Sequence, residues 1–256
     1  MCAVCKSTFW MVLLSCIAQS QNFQIMPTRD LRALKILSLA VKAAGGEAPI
    51  AAIHDYSATG TITYSRNRDS SGSVRVLGST SGQLRLDTTL PMGEQSVAMN
   101  QGEIMLRGED GGAIHGQGQA PMNPARLVLP YLQLRPALSS PIYQLAYLGA
   151  VKAGNRFAHH VQLQRSLPGS HYSTGRVAEY QTISFFIDAI TFQVLTMEDF
   201  LPKHLVRRVH YADYRWSNGL LVPFTIAEEV GGQPTWSIQL NGIAFNSNLQ
   251  EGDFTF

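Results

Sequence analysis

Apolar and polar residues alternate with a period of two along most of this chain, most clearly in its last third, from Thr182 to Phe256. Successive side chains of a strand point to opposite faces, so this alternation marks half-buried strands. Trp236, Ile238 and Leu240 alternate with Ser237, Gln239 and Asn241, while Leu220, Val222, Phe224 and Ile226 share a face opposite Thr225 and Ala227. Five extended segments succeed one another: TISFFI; FQVLTMEDF after a D-A-I-T turn; VRRVHYADYRW after Leu201–Leu205; LLVPFTIAEEV after S-N-G; and TWSIQLNGIAF after G-G-Q-P. Asn218-Gly219 is a hairpin signal, because both central positions of a type I′ turn need positive φ. With no room for crossover helices, the five predict an antiparallel meander.

Upstream, the pattern changes period twice. From Thr28 to Gly46 it is helical: Thr28 can cap the start, Asp30 suits the first turn, Lys42 the last, and Gly45-Gly46 stops the helix. Its apolar stripe reads Leu31, Leu34, Leu37 (or Ser38) and Val41. From Ala52 the period returns to two, with Tyr56, Ala58, Gly60, Ile62 and Tyr64 on one face. A turn over 66–72 follows, then short strands around Val74/Val76, Leu84/Leu86, Val97/Met99 and Ile104/Leu106. The glycine-rich 108–119 stretch (GEDGGAIHGQGQ) reads as a connection. Asn123-Pro124 offers a cap and an N1 proline for a second helix bearing Leu127, Val128, Tyr131 and Leu132, which Pro130 should break into two pieces. Strands resume after Pro141, and in 157–164 Phe157, His159, Val161 and Leu163 share a face; Ser166–Thr174 loops out. The sum is a mainly β chain of about ten or eleven strands with two helical segments, in one domain over 21–256. A sheet of that size must twist and curl or close, with the helices on its concave side.

Composition narrows the setting. The 256 residues are 45% hydrophobic and 15% charged, enough for a large core, and a net charge of +2 without a basic block gives no footprint for nucleic acid. Residues 1–20 read as a signal peptide: Lys6, then an apolar Phe9–Ala18 core too short to span a bilayer, then Ala18-Gln19-Ser20 for cleavage. The same residues permit a second reading, since Leu13-Leu14-Ser15-Cys16 approximates a lipobox whose cysteine would carry lipid. Either way the destination is outside the cytoplasm, in the periplasm or at the outer membrane. All three cysteines, Cys2, Cys5 and Cys16, lie in this segment, so Cys2-x-x-Cys5 is not expected to hold metal.

Catalytic constellations are sought without success. Gly78–Gly82 has Thr80 where a nucleophile elbow needs serine, no H-E-x-x-H occurs, and the 108–119 glycines lack the pattern of a phosphate loop. His159 and His160 are adjacent on a strand and point to opposite faces, so they cannot share a metal; His159 reads as a hydrogen-bonded core histidine. His54-Asp55 and Glu198-Asp199 sit at strand ends, and Asp188 reads as the residue that caps its own turn. The chain is not expected to be an enzyme, nor to carry a metal or cofactor.

Phe186-Ile187-Asp188-x-x-Thr191-Phe192 resembles the strand, D-x-x-T turn, strand element of the bacterial outer-membrane lipoprotein carrier superfamily (LolA/LolB-like). Tyr211-x-Asp213-Tyr214-Arg215-x-x-Asn218-Gly219-x-x-x-Pro223-Phe224 is similar to its next hairpin, Asn241-x-x-x-Phe245-Asn246 and Phe254-Thr255-Phe256 to its end, and the early helix with Tyr56–Gly60 to its start. The resemblance implies an unclosed antiparallel β-barrel of about eleven strands wrapped around helices, a cavity for acyl chains of lipoproteins or other apolar ligands, and no catalytic residues.

These readings give an expected function: an envelope carrier or binding protein for a lipid or acylated lipoprotein, acting by sequestration. The alternative is an envelope protein-interaction or sensing module with the same fold and a self-filled cavity. The expected ligand-facing residues are Leu31, Leu34 and Leu127 from the helices and Ile183, Phe185, Ile187, Trp236, Ile238 and Leu240 from the strands.

Overall fold

Among the described residues, thirteen antiparallel strands form one sheet, in the spatial order β6-β5-β4-β3-β2-β1-β13-β12-β11-β10-β9-β8-β7. The structure, a computed structural model, describes residues 29–65, 70–100, 103–108, 110–117, 128–165, 182–201 and 204–256. The expected signal peptide with its cysteines, the Thr28 cap, the centre of the 66–72 turn, Asn123-Pro124, Leu127 and the Ser166–Thr174 loop lie outside these residues.

The first meander comprises β1 (Asp55–Tyr64), β2 (Ser70–Ser79), β3 (Leu84–Leu90), β4 (Gly93–Asn100), β5 (Glu103–Arg107) and β6 (Ala113–Gln117). The second comprises β7 (Tyr143–Ala153), β8 (Arg156–Arg165), β9 (Thr182–Asp188), β10 (Val194–Leu201), β11 (Leu205–Ser217), β12 (Leu220–Val230) and β13 (Gln233–Phe245). The C-terminal five are the meander that the alternation predicts, and Asn218 (φ 48°) and Gly219 (φ 78°) both take the positive φ of its hairpin. The count rises above eleven partly because the glycine-rich stretch is not all connection. Its Ala113–Arg107, Ile114–Leu106 and His115–Met105 pairs make β6 an edge strand.

A single ladder joins the two meanders: β1 pairs with β13, from Tyr56 opposite Phe245 to Tyr64 opposite Trp236, with a bulge between Thr59 and Gly60. At that bulge Gly60 lies directly against the Gln239 carbonyl, where a Cβ would collide with backbone. The edges, β6 and β7, do not pair with each other, so the barrel stays unclosed.

Among the described residues, three α-helices fill the concave side. In α1 (Leu31–Ala43) the buried stripe is Ala33, Ile36, Leu37, Ala40 and Val41. Leu31 is 81% exposed, which corrects its expected inward place: it stands about 200° around the helix from Ala33. Leu34, on the stripe's flank, is half-buried and packs on the core. Asp30 serves as the N-cap and not as a first-turn residue, its Oδ1 accepting from the Arg32 and Ala33 amides at 2.7 and 3.2 Å. Its Oδ2 accepts from Tyr147 N at 3.3 Å, and its own amide donates to Leu145 O at 3.0 Å, so the start of α1 also occupies part of the β7 edge. A short α2 (Glu47–Ala51), which the pattern does not announce, follows Gly45-Gly46. Helix α3 (Tyr131–Ser139) starts directly after Pro130, which takes the N-cap position without a side-chain cap bond, and carries Pro136 inside it; the piece expected ahead of Pro130 falls largely on residues outside those described. Arg29 donates to Ser140 O, Ala137 O and Leu138 O at 2.7–2.9 Å and so satisfies the end of α3.

The outer face of the β3–β5 wing has its own cover. Ala98 and Met105 are buried there beneath the C-terminal 3₁₀ turn Glu251–Phe254, whose Phe254 is 1% exposed. Arg85 Nη1 donates to Thr255 O at 2.8 Å, and the Arg107 guanidinium lies 4.5 Å from the Phe256 ring centre.

Gly60→Ala tests the joining ladder. The added methyl meets a carbonyl that cannot swing away, and unfolding by urea should show a loss of about 1–3 kcal/mol. A neutral result would mean that the bulge yields.

Candidate functional site

The strand residues expected to face inward do so, with one partial exception. Ile183, Phe185, Ile187, Ile238 and Leu240 are all buried in the core, and Trp236 is half-buried against it beside its ladder partner Tyr64. They join α1 and α3 in one core. The apolar cavity bounded by Ala40, Ala44, Tyr131, Phe192, Val194 and Leu221 has a volume of about 10 Å³, less than a single water needs. The wide central cavity implied by the resemblance is therefore closed at this place.

Polar groups nevertheless enter this interior. Tyr56, Tyr131, Tyr211 and Tyr214 are buried or nearly so, and burial pushes all four phenols up. The Tyr214 hydroxyl donates to Val194 O at 2.6 Å. Tyr131 Oη and Tyr211 Oη have no partner among the described residues. An unmet buried hydroxyl costs about 1–3 kcal/mol. On the same inner face Arg207 grips Asp199 with two bonds, Nε–Oδ1 at 2.8 Å and Nη2–Oδ2 at 2.5 Å, and Asp199 is only 1% exposed. Desolvation pulls the Arg207 guanidinium down, and the Asp199 and Glu228 carboxylates more than offset it, so its pKa lies above the ordinary value.

The uncovered apolar surface lies elsewhere. One cross-strand row runs Ala58–Val76–Leu86–Val97–Leu106–Ile114, each residue directly opposite the next in register. The row begins in the core, with Ala58 at 1% and Val76 at 0% exposure, passes through half-buried Leu86 and Val97, and ends at Leu106 (41%) and Ile114 (67%). A parallel row, Leu84–Met99–Ile104, runs from buried to half-buried. The wing's outer face is held by the C-terminal turn, so its inner, apolar face opens toward solvent as β6 is approached. The alternation in β3–β5 marks these residues as strand-borne; only Ile114, inside the glycine-rich stretch, escapes it.

A second cavity, about 160 Å³, lies between α2, α3 and the β2–β3 turn. Ile50, Ile53 and Leu132 form its apolar wall, and His54, Thr80 and Arg135 its polar one. Arg135 is half-buried and its Nε has neither solvent nor a hydrogen-bond partner. Nothing in the sequence distinguishes Arg135 from a solvated helix arginine; the signal is three-dimensional.

The remaining candidates are structural. Asp188 is 4% exposed and its Oδ1 accepts from the Ile190 and Thr191 amides at 2.9 and 2.7 Å, the turn-capping role expected of it. Burial pushes its carboxyl up, and the Thr191 and Ile190 amides, the Thr191 hydroxyl and Arg156 pull it down further, so its pKa lies below the ordinary 3.8. His159 Nδ1 lies 3.2 Å from the Tyr147 hydroxyl and its ring stacks near Phe192, whereas His160, on the opposite face, stacks on Phe186 at 4.5 Å. Desolvation, then the charge of Arg32, lowers the His159 pKa against the pull of Asp188. Phe157, expected on the apolar face, is 67% exposed because it stands in the hairpin end of β8, beyond the helices. Among the described residues no three His, Cys, Asp or Glu side chains gather as metal ligands, and no helix is long and apolar enough to cross a membrane.

The sequence matches no protein-family model and none of the curated proteins. Solved structures do match. A domain described as an outer membrane lipoprotein-sorting protein from Vibrio parahaemolyticus superposes with a TM-score of 0.52 at 13% identity, over 88% of this chain and 96% of that one. A DUF1329 family protein from Desulfovibrio piger gives 0.56 at 9% identity, over 87% and 97%. A LolA superfamily protein from Nitrosomonas europaea gives 0.54 at 12% identity, over 88% and 97%. With an open sheet wrapped around helices, the chain has the LolA/LolB-like fold.

Two measurements probe these assignments. Truncation along the exposed row should separate core from surface: Val76→Ala costs about 1–3 kcal/mol in urea unfolding, whereas Leu106→Ala and Ile114→Ala cost under about 0.5 kcal/mol. Equal costs at both ends would make the row plain core. Asp188 supplies stability that is complete above pH 3.8 and lost as pH falls through its lower folded value. Asp188→Asn should accordingly be less stable than wild type at pH 7 and lose less on acidification to pH 3; parallel losses would refute the assignment.

Proposed function

We propose that this chain is a cell-envelope binding protein for a lipid or an acylated partner, acting by sequestration and not by catalysis. The observation that carries the reading is the Ala58–Ile114 row, an apolar register line that leaves the core and surfaces on the concave face of a wing held rigid from outside. An alkyl chain laid along that line returns about 0.8 kcal/mol per buried CH₂, against a similar cost of leaving a bilayer. Capture of this kind is weak and reversible, as a shuttle requires. Ile183, Phe185, Ile187, Trp236, Ile238 and Leu240, with Leu34, would extend the surface once α1 and α3 lift; Leu127 belongs to the same proposal, as does placement in the periplasm or at the outer membrane. The fold supports this reading, and lipoprotein sorting is named for one protein that shares it.

A second reading has its own observation. Between α1, α3 and the β9–β10 turn only about 10 Å³ is left. That favours an envelope protein-interaction or sensing module that uses the same fold without a ligand inside.

Two experiments decide between them. Organic extraction of natively purified protein, analysed by mass spectrometry, should release a lipid. A solvatochromic apolar dye should bind wild type, and Leu106→Asp with Ile114→Asp should abolish the response while leaving the thermal unfolding midpoint in place. Neither lipid nor dye response would sink the lipid reading in favour of the second.

A further inference from the structure

We infer that the cavity between α2, α3 and the β2–β3 turn is an anion site, in which Arg135 takes the phosphate or carboxylate of a small amphiphile or of a free anion. Only the amphiphile form rests on the lipid reading above.

The first argument is charge. A guanidinium carries five N–H donors in a planar fork and stays protonated throughout the physiological range. Several arginines are matched within the chain: Arg85 by Asp87, Arg156 by Asp188, Arg207 by Asp199, Arg208 by Glu198 and Glu229, Arg215 by Asp213, and Arg29 by the carbonyls that end α3. Arg135 has no such partner among the described residues, its Nε is sealed from solvent, and no acidic side chain lines the cavity it faces. An N–H donor shut away from both water and protein acceptors costs stability unless a ligand acceptor meets it.

The second argument is shape. About 160 Å³ corresponds to about five water molecules, room for a phosphate or carboxylate with a short stem and too little for a long acyl chain. Ile50, Ile53 and Leu132 receive the stem, while His54 offers an imidazole N–H in either protonation state. The third is rigidity. The loop carrying His54 is tied on both sides, since Asn246 Oδ1 accepts from His54 N at 2.8 Å and Asn246 Nδ2 donates to Ala52 O at 2.9 Å. Thr80 N donates to His54 O at 2.9 Å, fastening the β2–β3 turn to the same loop. A rim already fixed spends little binding energy on ordering.

The test is calorimetric titration of the full chain with three probes: inorganic phosphate, dihexanoyl phosphatidic acid and dihexanoyl phosphatidylcholine, the two lipids kept below micelle formation. Wild type should prefer phosphatidic acid over phosphatidylcholine by about tenfold or more. Arg135→Met should erase that preference with phosphatidylcholine affinity unchanged, and should unfold no earlier than wild type, since no partner is lost; Arg135→Lys should keep part of the preference. Phosphate bound by wild type and not by Arg135→Met, without any lipid preference, assigns the site to a free anion. If both lipids bind equally, the variant changes neither and phosphate does not bind, the inference is overturned and the apolar surface stands. If neither lipid binds, the lipid reading fails, and the phosphate titration alone upholds or overturns the anion site.

Discussion

The structure depends on one non-local ladder, that between β1 and β13. Among the described residues, every other strand pairing joins neighbours in sequence, so each meander could assemble by hairpins alone, and Tyr56–Tyr64 against Trp236–Phe245 makes them one sheet. Closing so long a loop costs entropy, and the ladder recovers it by stacking inner-face residues of both meanders, Tyr56, Ala58 and Ile62 with Ile238 and Leu240, into a shared core. Gly60 permits the close approach at the bulge, and the bulge bends the sheet where it must curl. The same joint fixes where the open edges fall: β7 takes part of its edge bonding from Arg29 and Asp30, and β6 is left at the rim.

From that joint the two halves diverge in what they bury. Behind the second meander, the small residues Ala33, Ala40 and Ala137 let α1 and α3 sit close to the sheet and to each other, and the interior fills. Before the first meander the helices thin out: α2 covers the end near Ile50 and Ile53, and the β4–β6 wing projects past it. The gradient from Val76 to Ile114 is thus a consequence of helix placement, not of strand composition, since each strand in the row offers an apolar side chain inward.

This division explains how much the amino-acid pattern could convey. Strand alternation and the Asn218-Gly219 turn are local, so β9–β13 are legible almost residue by residue. Asp30 is legible as an acidic residue at the start of α1, yet whether it caps or follows the cap depends on the β7 edge it also binds. Leu31 looks equivalent to Leu34 in any helical count; the docking angle of α1 alone separates them. Ile114 is hidden by its glycines, and Arg135 by its ordinariness, because a missing partner is a property of the space around a residue.

The closed interior and the proposed binding role are reconcilable on energetic grounds. Tyr131, which α3 carries into the centre, and Tyr211, which faces it from β11, both keep a hydroxyl without an acceptor among the described residues. At about 1–3 kcal/mol for each unmet hydroxyl, the packed arrangement holds back part of what full satisfaction would supply. Lifting α3 therefore surrenders less than its apolar contacts alone suggest. An entering ligand with acceptor oxygens could meet the hydroxyls that the protein leaves alone. Arg135, on the same helix and likewise unpaired, adds a further group whose best partner is not in the chain. α3 thus docks well by its alanines and leucines and less well by its polar atoms. The proposed binding role and the unmet hydroxyls are consistent in this respect, since both concern groups that the chain itself does not satisfy.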